Sequence, residues 1–182
     1  MTKRIIPVVA ALGLMVLTGC KEKKQTQDII ATKQEEVKLQ DPIRMQEYRQ
    51  EQTVDWNGRS YRVAVVRTPV DSLPMVQDEV GQKYVDNRIS LTITRQDQTV
   101  LLSKQFTKAS FHSYLNDDYR QKGVLEAMVF DEVDDGELEF AVSVAHPQSE
   151  DEYIPLKLSV RADGGISIKR DSDLDTHGEE NE

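Results

Sequence analysis

The sequence predicts a mainly β domain of the α+β class, an antiparallel meander of about eight short strands curled into a roll or small barrel, with one inserted helix. Three observations predict it. From Thr53 onward apolar residues recur at every second position, the pattern of strands that bury one face. Turn-forming groups, Asn57-Gly58, Asp134-Asp135-Gly136 and Asp163-Gly164-Gly165, separate the alternating runs. Only Phe111, Leu115 and Tyr119 keep helical spacing, between a capping Thr107 and a stop at Gly123.

Ahead of the domain, Lys3 and Arg4 precede an apolar run from Ile5 to Leu17, which ends in Leu17-Thr18-Gly19-Cys20. A run of 13 residues is too short for a permanent bilayer span. The pattern is that of a lipoprotein signal: residues 1–19 are expected to be cleaved, and Cys20 to carry acyl chains as the new N-terminus. Residues 20–52, rich in Lys, Gln, Glu and Thr, are expected to form the lipidated cysteine and a flexible tether. Within it, Asp41-Pro42 favours the start of a short helix carrying Ile43, Met45 and Tyr48.

The β-rich domain is expected over residues 53–170. Thr53 to Trp56 and Arg59 to Arg67 read as a hairpin on Asn57-Gly58, with Tyr61, Val63 and Val65 on one face. Asn87 to Arg95 alternates Ile89, Leu91 and Ile93 with polar residues and returns as Val100 to Phe106. After the helix, Val124 to Asp131 pairs with Glu137 to Ala145, whose Leu138, Phe140, Val142 and Val144 oppose Glu137, Glu139, Ala141 and Ser143. Tyr153 to Arg161 and Ile166 to Lys169 form the last hairpin, and residues 171–182 read as an acidic disordered tail. Nearly every strand has one apolar and one polar face, so the sheet must bury a single side by curling, with the helix closing it.

Several segments are similar to a family of small lipoproteins of unknown function from Bacteroides-type Gram-negative bacteria, a domain-of-unknown-function family. They are Leu73-Pro74-Met75-Val76, Tyr84-Val85-Asp86-Asn87-Arg88, Phe106-Thr107-Lys108, Gly123-Val124-Leu125-Glu126, Val144 to Pro155 and Gly165-Ile166-Ser167-Ile168. The resemblance implies an envelope location and similar domain boundaries. It carries no activity, ligand or catalytic residue.

Composition narrows the function further. The chain has 182 residues and a formal charge of -9; loss of Lys3 and Arg4 with the signal leaves 21 basic against 32 acidic residues, or -11. Such a surface repels nucleic acid, so no nucleic acid partner is expected. Cys20 is the sole cysteine, which leaves none for disulfides or a thiol nucleophile once it is acylated. Lys21, Lys23 and Lys24 beside it suit an anionic leaflet.

Chemistry-bearing residues are sparse. His112, His146 and His177 share no metal or triad spacing, and His146 with Ser149 and Glu150 lacks a nucleophile elbow or oxyanion turn. Asp171, Asp173, Asp175 and Glu182 imitate a calcium loop, but Thr176 stands where glycine is needed, and the acidic run from Asp131 to Glu137 surrounds a turn. No catalytic residue, cofactor or metal is therefore expected. The long connection from Thr68 to Tyr84 and the His146 to Tyr153 segment are the expected interaction surface, with Leu73, Met75, Val76, His146, Gln148 and Tyr153 as contacts. The resulting expectation is a non-enzymatic binding module for an unknown envelope protein or ligand, held through Cys20 on the outer membrane and facing the periplasm. The alternative is a carrier of a small apolar ligand among Tyr61, Leu91, Phe140 and Leu156, and a weaker one is a calcium-binding or hydrolytic domain.

Overall fold

Asn57 and Gly58 take φ values of 50° and 70°, the two left-handed residues that a type I′ turn requires. The hairpin they close opens the domain in the computed structural model, which describes residues 38–149 and 151–172. It joins β1 (Tyr48–Trp56) to β2 (Arg59–Pro69). The chain continues through β3 (Val76–Gln77), β4 (Lys83–Tyr84), β5 (Asn87–Arg95) and β6 (Val100–Phe106). A 3-10 helix (Lys108–Tyr114) and α1 (Asp117–Lys122) follow, then β7 (Val124–Asp134), β8 (Glu137–Ala145), β9 (Tyr153–Val160) and β10 (Ile166–Arg170).

All ladders between these strands are antiparallel, and the domain is mainly β as the alternation predicts. The strands form two four-stranded sheets, in the orders β1-β2-β5-β6 and β10-β9-β8-β7, and a small β3-β4 ribbon. The roll therefore does not close into a barrel. Residues 107–123, the helical insertion, part β6 from β7, so the ladder breaks there and a second sheet begins. Both sheets turn their apolar faces to one buried cluster that includes Val63, Ile89, Leu91, Leu138, Phe140 and Leu158. Tyr61, Leu91, Phe140 and Leu156, the side chains of the carrier alternative, belong to that cluster and pack within it.

Polar ties clamp the sheets along β7. Trp56 Nε1 donates to Gly136 O at 2.8 Å at one end, and Arg67 donates to Glu126 O near the other. Register shifts in β7, between Leu125 and Ala127 and between Phe130 and Val133, mark bulges, which add twist and leave carbonyls for such ties.

The structure departs from the sequence reading at five places. Strand β1 begins at Tyr48, and Ile43 bridges to Tyr84 instead of starting a helix, with Ile43 N–H donating to Lys83 O at 2.9 Å. The 68–84 connection carries its own ribbon, which raises the strand number to ten among the described residues. The expected single helix is two short ones. Asn116 accepts from Tyr119 N–H at 3.0 Å and caps a new start, because Asn competes for the backbone better than it continues a helix. Finally, Glu139 is buried on the face read as polar, where Lys157 Nζ meets it at 2.7 Å. Of the acidic tail, only Asp171 and Ser172 fall within the described residues; Cys20 and the signal lie outside them.

Candidate functional site

The connection between β2 and β5 is an ordered flap. Asp78 Oδ1 accepts from the N–H groups of Val80 and Gln82 at 3.0 and 2.9 Å, and its Oδ2 accepts from the Tyr84 hydroxyl at 3.0 Å. Burial, and then this bond, push the Tyr84 phenol above its ordinary pKa. Gln82 reaches back to Gln40 through both its carbonyl and its amide. Val76, Tyr84 and Val124 form a second apolar cluster with Ile43 and Met45 packed on it.

Across from the flap, the 146–152 segment is built on Pro147 and Gln148. Ser149 N–H donates to His146 O at 3.2 Å and Gln148 has a φ of 65°, the arrangement of a type II turn with proline at its second position. Glutamine is an unusual residue at positive φ, and the strain of order 1 kcal/mol is held by the surrounding bonds. His146 N–H closes the segment onto Glu152 O at 3.1 Å.

The imidazole of His146 is fixed on three sides. It stacks on Tyr119 with centroids 4.2 Å apart and an interplanar angle of 10°. Nδ1 lies 3.0 Å from Glu152 Oε2, and Nε2 lies 2.7 Å from Asp118 Oδ2, a close contact that is off the line of a hydrogen bond. Lys122 bridges Asp118 at 3.0 Å and Glu79 of the flap at 4.0 Å. The Lys122 hydrogen bond is the main reason the Asp118 carboxyl sits below its ordinary pKa, with desolvation opposing and His146 adding less. A cleft of about 280 Å³ runs between the flap and the turn, lined by Glu79, Asp118, Lys122, His146 and Glu152. Ser149 Oγ accepts from Glu152 N–H at 3.2 Å, and both ring nitrogens of His146 meet carboxylates, so the ring is held as a structural pin and does not face the Ser149 hydroxyl as a base. Among the described residues no group of three or more His, Cys, Asp or Glu is arranged to hold a metal ion.

A second cavity, of about 190 Å³, lies on the other side of the flap. Leu73, Met75 and Val76 form one wall, and the 3-10 helix and α1 the other, with Asp86 and Lys108 also lining it. Asp86 and Lys108 are buried, at 4% and 8% exposure. Asp86 Oδ1 accepts from Asn87 N–H at 2.8 Å and Leu125 N–H at 2.9 Å. Asn87 Nδ2 donates to Leu125 O at 2.9 Å, so the Asp86-Asn87 pair clamps both backbone groups of one residue on the edge strand β7. Lys108 Nζ donates to Gly123 O at 2.6 Å and stands 3.9 Å from Asp86 Oδ2. Burial raises the Asp86 carboxyl above its ordinary pKa and lowers the Lys108 amine below its own, against the attraction between them.

The expected contact residues thus divide among four places. His146 lies at the cleft facing Glu79 and also, with Gln148, lines a hollow against Ile43, Met45 and Tyr84; Leu73, Met75 and Val76 wall the smaller cavity, with Val76 itself buried; Tyr153 lines a separate hollow with Ala127, Val129 and Asp171. Asp86 and Lys108 were missed. Their only sequence signals are an acidic residue ahead of Asn87 at a strand start and a lysine just after the Thr107 cap.

The model of a family described as a domain of unknown function (DUF4738) matches residues 26–168. A search of curated proteins finds no match.

Proposed function

The chain belongs to the DUF4738 family, a membership that carries no activity with it, and on its own geometry we propose that it is a membrane-tethered, non-enzymatic recognition module of the cell envelope. One observation carries the reading: the 68–84 flap and the 146–152 turn, distant in sequence, meet through Glu79, Lys122, Asp118 and His146. Rigidly braced loops that converge at one end of a β scaffold are the usual seat of recognition. Exposed Val80, at 56% and next to Glu79, supplies apolar contact beside this charged cleft.

The partner is an envelope protein that meets this end of the domain. Leu17-Thr18-Gly19-Cys20 supports acylation at Cys20, and among the described residues no helix is long and apolar enough to cross a membrane. Two or three acyl chains make such an anchor durable. The location we favour is the outer membrane, with the domain in the periplasm.

Photo-crosslinkers at Val80 and Gln148, compared with one at Asp135, test the recognition surface in intact cells. Asp135 sits at the far end of the 11-residue strand β7, about 30 Å away. Adducts from Val80 and Gln148 but not Asp135 are expected; adducts from Asp135 alone would sink the proposal. For the anchor, labelled palmitate should enter the wild-type protein and not Cys20→Ala, and label kept by the variant would refute it.

A further inference from the structure

We propose that the cavity between the flap and the helical insertion binds a small apolar α-amino acid, whose ammonium meets Asp86 and whose carboxylate meets Lys108. The two buried side chains are opposite in charge yet not in direct hydrogen-bond contact: Lys108 Nζ is 3.9 Å from Asp86 Oδ2. Asp86 spends Oδ1 on two backbone N–H groups, while Lys108 spends one of three donors on Gly123 O. Oδ2 and the remaining ammonium donors are thus left to each other at that distance.

The nitrogen and carboxylate oxygens of an α-amino acid are about 3 Å apart by covalent geometry. Such a zwitterion set against the pair replaces one long ionic contact with two short charge-assisted hydrogen bonds. A lone cation or anion satisfies only one side and leaves the other charge buried without its counterpart.

The rest of the cavity fits the same ligand. Leu73, Val76 and Met75 offer an apolar wall for a side chain. Arg120 and His112 lie nearer solvent on the opposite wall, and the Arg120 guanidinium attracts the carboxylate end. A volume of about 190 Å³ is below that of drug-sized sites, of about 300 Å³ and more, and holds roughly six waters. This site is separate from the macromolecular contact proposed above, and its test reads small-molecule binding alone, so either proposal can fail without the other.

Calorimetric titration of the detergent-solubilised full chain uses L-leucine and L-methionine as probes. Leucinamide, which lacks the carboxylate, and 4-methylpentanoate, which lacks the ammonium, serve as comparisons. Saturable one-to-one binding of at least one amino acid is expected, with each leucine analogue weaker than leucine by about tenfold or more. Lys108→Met should abolish binding. Ala109→Trp, on the exposed rim, should block the cavity while touching neither charge. No saturable binding up to about 10 mM, analogues that bind as well as leucine, or unchanged binding in Ala109→Trp would each overturn the proposal.

Discussion

Replacing Asp86 separates its two tasks, holding the edge of β7 and carrying a buried charge. In Asp86→Ala the N–H groups of Asn87 and Leu125 lose their acceptor, and Lys108 keeps only Gly123 O. Each charge-assisted bond is worth about 1.5–3 kcal/mol, offset in part because a carboxylate no longer has to be buried. Loss of one partner of a buried pair costs about 3–5 kcal/mol in all, a third or more of the stability of an ordinary domain of about 10 kcal/mol. With a urea slope of about 2 kcal/mol/M, the midpoint should fall by about 2 M. Asp86→Asn keeps an oxygen for both N–H groups and should lose about 1–2 kcal/mol at neutral pH. Its pH dependence has a definite sign. Burial raises the folded carboxyl above its unfolded value of about 4, so between those two values the folded state keeps its proton longer, and wild-type stability falls as pH rises. Asparagine does not titrate, so the advantage of wild type over Asp86→Asn should be widest on the acid side of that window and narrow above it. An advantage that widens with pH, or an Asp86→Ala variant within about 1 kcal/mol of wild type, would refute this account of the clamp.

Two further outcomes are expected. Gly123→Ala places a Cβ 2.6 Å from Tyr119 O and 3.0 Å from Val144 Cγ1, so thermal unfolding should show a loss of about 1–3 kcal/mol, and an unchanged midpoint would mean that the end of α1 yields freely. For the Glu139 and Lys157 pair, the hydrogen bond that the Lys157 ammonium donates to Glu139 raises the Lys157 amine, so its contribution is complete below about 10.4 and is lost as pH rises through the folded value. The stability gap between wild type and Lys157→Met should accordingly shrink in that alkaline range, and a gap that grows would contradict the assignment.

The hairpins were legible because their turns need particular residues. Asn57, Asp135 and the glycines at 58, 136 and 164 all take positive φ, and the flanking alternation fixes which side chains face the core. Ile89, Leu91 and Ile93 are all fully buried. Periodicity does not say which strands end a sheet, and the break between β6 and β7 comes from the insertion. Nor could it reveal residues 38–47, which join the domain through the bridge at Ile43, through Gln82 and Arg67, through the Arg44–Asp71 ion pair and through Met45. The spacing of Phe111, Leu115 and Tyr119 reads as one helix, and the second start at Asn116 shows only in the structure, where its side chain caps Tyr119 N–H. Asp86, Lys108 and Glu139 escaped notice for a common reason: a charged side chain reads as solvent-facing until its partner is known, and each partner is supplied by a different element.

The interruption of the helix is what allows both sites to exist. In an unbroken α-helix, residues 15 positions apart are separated by about 22 Å at 1.5 Å per residue. Lys108 and Gly123 are that far apart in sequence, yet Lys108 Nζ donates to Gly123 O at 2.6 Å. The chain must therefore fold back between them, and it does so at Leu115, buried at 3% exposure, and the Asn116 cap. Arg120 Nε reinforces the turn by donating to His112 O at 2.9 Å across the break. Lys108 is thereby set at one cavity from the first half of the insertion, while Asp118, Tyr119 and Lys122 on the second half meet His146 and Glu79. A straight helix with the same apolar stripe would bury Phe111 and Leu115 equally well, but it would carry Asp118 and Lys122 away from Lys108 along its axis. The polar residues at the break, which contribute little to the apolar core, therefore decide where the charged groups of both sites stand.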